Sequence, residues 1–153
     1  MVSFLLNTVT AVIVLFQFSF YQSEPHLNLE NGIAVKGYDL VSYFSKKKAV
    51  KGTKKFSYKY NGATYFFASE KNLAIFKKSP VHYLPQYGGY CAFAMGDNGK
   101  KVDINPKTFK VKEGKLFLFY NAYFNNTLTP WNEDEENLKI KADKNWRNLI
   151  QQK

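Results

Sequence analysis

Residues 83–92 read Tyr-Leu-Pro-Gln-Tyr-Gly-Gly-Tyr-Cys-Ala, which suits neither a regular strand nor a regular helix. Pro85 biases Leu84 toward extended backbone. Gly88 and Gly89 open φ values closed to residues with side chains. This run holds the only cysteine, the only Gly-Gly pair and three of the eleven tyrosines of the chain, and His82 stands just before it. The chain has to bend here, and the segments on either side have to be regular enough to pack around the bend.

Those segments carry clear signals. Phe56, Tyr58 and Tyr60 alternate with Ser57 and Lys59, as in a half-buried strand. Asn61-Gly62 follows and suits a type I′ turn, so residues 56–67 are expected to form a hairpin. Ser69 is placed to cap a helix running to about Lys78, with Leu73 and Phe76 inward and Pro80 as its stop. Upstream, residues 33–35 read as a short strand, and Asp39 as the cap of a short helical turn. Residues 90–95 can open either a short helix or a buried strand.

Downstream, residues 109–112 and 116–120 read as a second hairpin about Glu113-Gly114. Leu116, Leu118 and Tyr120 share one face and Phe117 and Phe119 the other, so this strand is expected to lie centrally in a sheet. The last helix reads as capped by Thr129 with Pro130 at its first position. Acidic residues 133–136 lie at its start, and Leu138, Ala142, Trp146, Leu149 and Ile150 recur on one face. Helix-start electrostatics account for this acidic cluster, which lacks the glycine and spacing of a calcium loop. The fold class is therefore α+β: a small antiparallel sheet of hairpins, with a central short helix and a C-terminal helix packed on it.

At 153 residues the chain suits one domain. Residues 1–23 have no charged side chain and are apolar nearly throughout 9–20, which reads as a secretory leader. The alternative is an uncleaved anchor over residues 4–20, associated with a membrane. Either one would place the rest outside the cytoplasm, periplasmic, secreted or anchored. Residues 24–32 read as linker and 33–153 as the single domain. The net charge of +10 is spread over scattered lysine pairs, with Arg147 the one arginine. Export and the scarcity of arginine argue against nucleic acid as a partner, and no physiological partner is legible.

Further residues carry a resemblance. Lys36-Gly37-Tyr38-Asp39 with Val41, Tyr43 and Phe44 opens it, and Lys51-Gly52, the first hairpin, Ser69 and Asn72 continue it. Residues 83–92 are its most specific part. Asp103, residues 114–116, Trp131, Ala142-Asp143 and Asn145-Trp146 close it. Together they resemble an exported, stand-alone bacterial YHS domain protein. The resemblance implies a small α+β module of a family generally regarded as metal-binding. In the metal-linked branches that role rests on cysteine pairs, whereas this chain has Cys91 alone, so no thiolate-rich site can form within one chain.

Three kinds of chemistry fit the residues. One is a soft transition-metal site, copper by preference, with Cys91 as thiolate and His82, Met95, His26 or a tyrosine oxygen as further ligands. Another is a nucleophilic Cys91 activated at a helix start and paired with a histidine. The last is a binding module without metal, in which Cys91 is structural and Tyr83, Tyr87, Gly88, Gly89 and Tyr90, with Phe93 and Trp131, shape a surface for a small ligand or partner segment. No phosphate loop, dinucleotide fingerprint or zinc-protease motif is present. The chain reads as a metal-handling or binding module rather than an enzyme.

Overall fold

The computed structural model describes residues 26–151. The leader or anchor expected over 1–23 lies outside the described residues. The first described element is a tight hairpin, β1 (Leu29–Glu30) and β2 (Ile33–Ala34), turning at Asn31 and Gly32 with φ of 52° and 77°. Within residues 24–32, read from their polarity as linker, Leu29–Glu30 is strand, and Leu27 and Leu29 pack on the core.

A left-handed turn through Val35, Lys36 and Gly37 leads to α1 (Leu40–Ser45). Asp39 caps α1 as expected, its Oδ1 accepting from the amides of Val41 at 2.9 Å and Ser42 at 3.3 Å. Its Oδ2 accepts from the Ala68 amide at 2.9 Å and from Asn72 Nδ2 at 2.6 Å. One buried carboxylate therefore ties α1 to the end of the first hairpin and to the helix after it.

That hairpin is β3 (Thr53–Tyr60) and β4 (Ala63–Phe67), turning at Asn61 and Gly62 with φ of 46° and 81°. The sheet order is β1-β2-β4-β3, with β2 joined to β4 by a parallel pairing of Ile33 with Thr64. The helix α2 (Glu70–Lys78) is capped by the Ser69 hydroxyl, which accepts from the Asn72 amide at 3.2 Å. Pro80 marks the end of α2 and also opens another turn, α3 (Pro80–Tyr83), where its missing N–H costs nothing.

After the 83–92 bend, α4 (Ala92–Asp97) is the helix alternative left open above. The second hairpin is β5 (Asn105–Lys112) and β6 (Lys115–Phe119). The expectation that β6 is central in a sheet needs correction, because among the described residues β5 is its one ladder partner. Its other edge meets the bend through single parallel bridges, Pro85 with Leu116 and Cys91 with Leu118. The irregular run thus stands in for a third strand.

Both faces of β6 are nonetheless buried. Leu116 and Leu118 join the core beneath the first sheet, with Tyr43, Phe67 and Phe76. Phe117 and Phe119 face a second core with Met95, Trp131, Leu138 and Ala142. The alternation read from the sequence divides the molecule into these two cores.

A small hairpin, β7 (Asn121–Ala122) and β8 (Asn125–Asn126), precedes the C-terminal helices. There are two of them, not one: α5 (Leu128–Glu133) and α6 (Glu135–Gln151). Thr127, not Thr129, precedes α5, and Pro130 sits at its third position. The break falls at Asp134, with φ of −140° and ψ of 43°. Acidic Glu135 and Glu136 therefore open α6 itself, where its dipole favours them.

Glu135 also closes a polar cluster. Its Oε2 accepts from Lys112 Nζ at 2.8 Å and Lys110 Nζ at 2.9 Å, and its Oε1 from Trp131 Nε1 at 3.1 Å. Desolvation pushes the carboxyl pKa up, but these three hydrogen bonds outweigh it and hold it at about 2. The folded value is thus below the unfolded one. The associated stability is present above pH ~4.5 and is lost as pH falls from there through about 2. Melting temperature should decline over this window. Glu135→Gln should flatten that decline while leaving Asp103 and Asp143, also held low by lysine partners, to contribute the rest. A decline identical in Glu135→Gln and the unaltered protein would refute the assignment.

Candidate functional site

The bend begins with Tyr83, whose ring lies 5.3 Å from Phe44 and 4.8 Å from His82, both edge-on. After Pro85, three consecutive residues take left-handed backbone: Tyr87, Gly88 and Gly89, with φ of 54°, 61° and 83°. Only the last two are glycines, so Tyr87 is held in a conformation unusual for a bulky residue. Its hydroxyl donates to Asp143 Oδ1 of α6 at 2.9 Å, and its ring lies 6.3 Å from Trp146. Burial, then the Asp143 hydrogen bond and charge, push the Tyr87 pKa far up, so the phenol stays a donor.

The glycines bring backbone into contact with the N-terminal arm. Asn28 donates from its amide to the Gly88 carbonyl at 2.9 Å and from Nδ2 to the Gly89 carbonyl at 3.1 Å. A Cβ on Gly88 would overlap the His26 carbonyl oxygen and come within 2.9 Å of the Trp146 ring. Tyr90 then donates its hydroxyl to the Leu27 carbonyl at 3.0 Å, while Lys101 lies over its ring.

Cys91 is fully buried. Its Sγ accepts from the Tyr120 amide and lies against Thr127 Oγ1, both at 3.3 Å. The Thr127 hydroxyl donates its proton to the Tyr120 carbonyl at 2.9 Å. The Cys91–Thr127 bond must then be donated by the thiol. Cys91, Thr127 and Tyr120 thus form a closed ring in which each donates to the next, and the sulfur is a buried core group with its hydrogen-bonding roles filled. No imidazole is among its hydrogen-bond partners.

The residues proposed as its co-ligands lie in different surroundings. His82 is exposed on α3, with its ring 5.4 Å from Phe44. Met95 is buried one turn along α4, in the second core, whereas Cys91 belongs to the first. His26 stands beside Trp146, with Nδ1 accepting from Lys101 Nζ at 2.7 Å. Among the described residues no three of His, Cys, Asp and Glu form a cluster able to hold a metal ion.

The tyrosines diverge as well. Tyr83 turns toward α1, Tyr87 toward α6 and Tyr90 toward the N-terminal arm. Trp131 is wholly enclosed in the second core, and so fills space instead of lining a pocket. Gly88 does border an open groove of about 270 Å³, together with Leu27, Leu29, Val35, Pro85 and Trp146. Its walls are largely apolar. His26, Asn28 and Asn61 stand at its polar points, and Tyr65 and Ile150 also line it. Sequence reasoning recognised Gly88 but assigned Trp146 wholly to helix docking. Helical spacing gives the face of Trp146, but not that the arm and the bend leave a gap in front of it.

Residues 41–87 match the family model of the YHS domain. The match runs from α1 into the left-handed turn and stops before Cys91. No curated protein and no solved structure matches the chain.

Proposed function

We propose that this chain is a non-catalytic binding module, built on its YHS-type stretch, that takes a small apolar or amphipathic ligand in the groove between the N-terminal arm, the bend and Trp146. The observation that carries this reading is the Cys91 ring. A fully buried thiol with both hydrogen-bonding roles filled offers neither a ligand to a metal nor a nucleophile to a substrate without local opening. The groove combines apolar walls with a few polar points, the usual character of a ligand site, though at about 270 Å³ it suits only a small molecule. The uncharged, largely apolar run within residues 1–23 supports an extracytoplasmic or membrane-anchored setting.

Copper handling is the second reading. It draws its support from the YHS match and from the soft donors Cys91, Met95 and His82, and it requires that these be drawn together by rearrangement.

Two titrations separate the readings. An anilinonaphthalene sulfonate probe should bind the native protein at one site and quench Trp146, and Trp146→Ala should weaken binding about tenfold, as loss of a large aromatic contact does. Copper(I) affinity should be the same in Cys91→Ser as in the unaltered protein. Stoichiometric copper(I) binding that Cys91→Ser abolishes would overturn the first reading in favour of the second. Probe binding indifferent to Trp146→Ala would remove the groove.

A further inference from the structure

The turn between β7 and β8 breaks a rule that the other two-residue hairpins among the described residues obey. Three other two-residue hairpin turns end in glycine: Asn31-Gly32, Asn61-Gly62 and Glu113-Gly114. This one consists of Tyr123 and Phe124, with φ of 51° and 62°. Bulky residues rarely adopt such backbone, and a pair of them at both central positions is exceptional. Nothing within the domain compensates, because Tyr123 is 92% and Phe124 111% exposed. Strain retained beside full exposure of two aromatic rings points outward, to a partner.

We infer that this tip contacts a membrane surface bearing anionic lipid. Two aromatic side chains offer roughly 300–500 Å², well short of the ~1,000 Å² of a specific protein interface. A bilayer interface needs no matching pocket and accepts aromatic rings at headgroup depth. The surrounding charge agrees. Residues 114–132 contain no Asp or Glu, and β5 beside the tip carries Lys107, Lys110 and Lys112. Lys110 and Lys112 are paired with Glu135, while Lys107 is exposed. The whole chain carries +10, which favours an anionic surface.

The tip is also held firmly. Asn105 donates to the Asn121 carbonyl at 3.2 Å, and Asn121 Nδ2 to Thr108 Oγ1 at 3.0 Å, fastening β7 to β5 on either side of Lys107. The rings are presented from a rigid stem.

The test uses the full chain, because the apolar N-terminal residues can bind lipid themselves and must be common to every sample. The double variant Tyr123→Asn, Phe124→Gly installs the pair this turn type prefers. Its melting temperature should rise by a few degrees. Its partition onto vesicles of phosphatidylcholine with phosphatidylglycerol should fall about tenfold, given the apolar area removed. A Phe124→Trp reporter should shift its emission to the blue with those vesicles, and much less with phosphatidylcholine alone or in high salt. Equal partition of the double variant, or an unshifted reporter on anionic vesicles, would overturn the inference. So would a lowered melting temperature, since the strain argument would then fail, or a lipid-independent dimer that the double variant dissolves, since the tip would then meet a second copy.

Discussion

Replacing Asp39 by alanine is expected to destabilise the domain more than any other single change considered, by about 3–5 kcal/mol, the cost of stranding the partners of a buried charge. Asp39 is fully buried. The substitution would leave the Val41, Ser42 and Ala68 amides and Asn72 Nδ2 without this acceptor. The Val41 amide loses its side-chain acceptor inside the core, while the Ser42 amide keeps the Asp39 carbonyl at 3.2 Å and Asn72 Nδ2 only the longer contact to the Ser42 hydroxyl at 3.3 Å. Total stabilities of domains this size are about 5–15 kcal/mol, and much of the margin would go.

Asp39→Asn should be intermediate. One oxygen can still cap α1, but an NH₂ group then faces two donors. Ser42→Ala, which removes only the weaker partner of Asn72 at 3.3 Å, should cost about 1 kcal/mol or less. Urea unfolding followed by tryptophan fluorescence ranks the three. A shift for Asp39→Ala no greater than that for Ser42→Ala would show that the carboxylate is not the joint described above.

Gly88→Ala is the second large effect, at about 2–5 kcal/mol. Part is the cost of left-handed backbone for an L residue, and part is overpacking. The new Cβ meets a main-chain oxygen, that of His26, which cannot swing aside as a side-chain end can. The N-terminal arm has to lift, breaking the Asn28 hydrogen bonds to Gly88 and Gly89. Stability and the groove should therefore fail together, with amide exchange accelerating first at Asn28. Gly89→Ala is the informative comparison. Its φ is also positive, at 83°, but its Cβ would meet Pro85 Cγ at 3.4 Å and Asn28 Cβ at 3.9 Å, both side-chain atoms near ordinary contact distance. It should carry the backbone term with little of the clash. Equal losses in the two variants would mean that the close approach of the arm to Gly88 contributes nothing.

Much of the architecture was legible in short-range chemistry. Asn61-Gly62 determined a hairpin because few other pairs tolerate its turn. Ser69 and Asp39 announced helix starts because their side chains reach amides two or three residues on. The alternation in 116–119 announced two buried faces because strand side chains point to opposite sides. The misreadings have an equally local origin. One helical pattern runs through 128–151, and sequence periodicity does not register the break at Asp134. Both faces of β6 are apolar, and hydropathy cannot distinguish a neighbouring strand from an irregular segment bridging the edge.

The 83–92 run shows where the boundary lies. The sequence by itself determined that the chain bends there, since Pro85 fixes its own φ and lacks a donor, and Gly88 and Gly89 admit left-handed backbone that regular strands and helices do not use. It could not determine what Cys91 does. A thiol is a ligand, a nucleophile or a core group according to its neighbours, and these come from Tyr120 and Thr127, 29 and 36 residues away. Likewise the groove is made by an arm, a bend and a helix that only meet on folding. Backbone freedom is a property of a residue and its immediate neighbours, and so can be read along the chain. Burial, hydrogen-bond satisfaction and open space belong to groups brought together from a distance, and only the tertiary structure decided them.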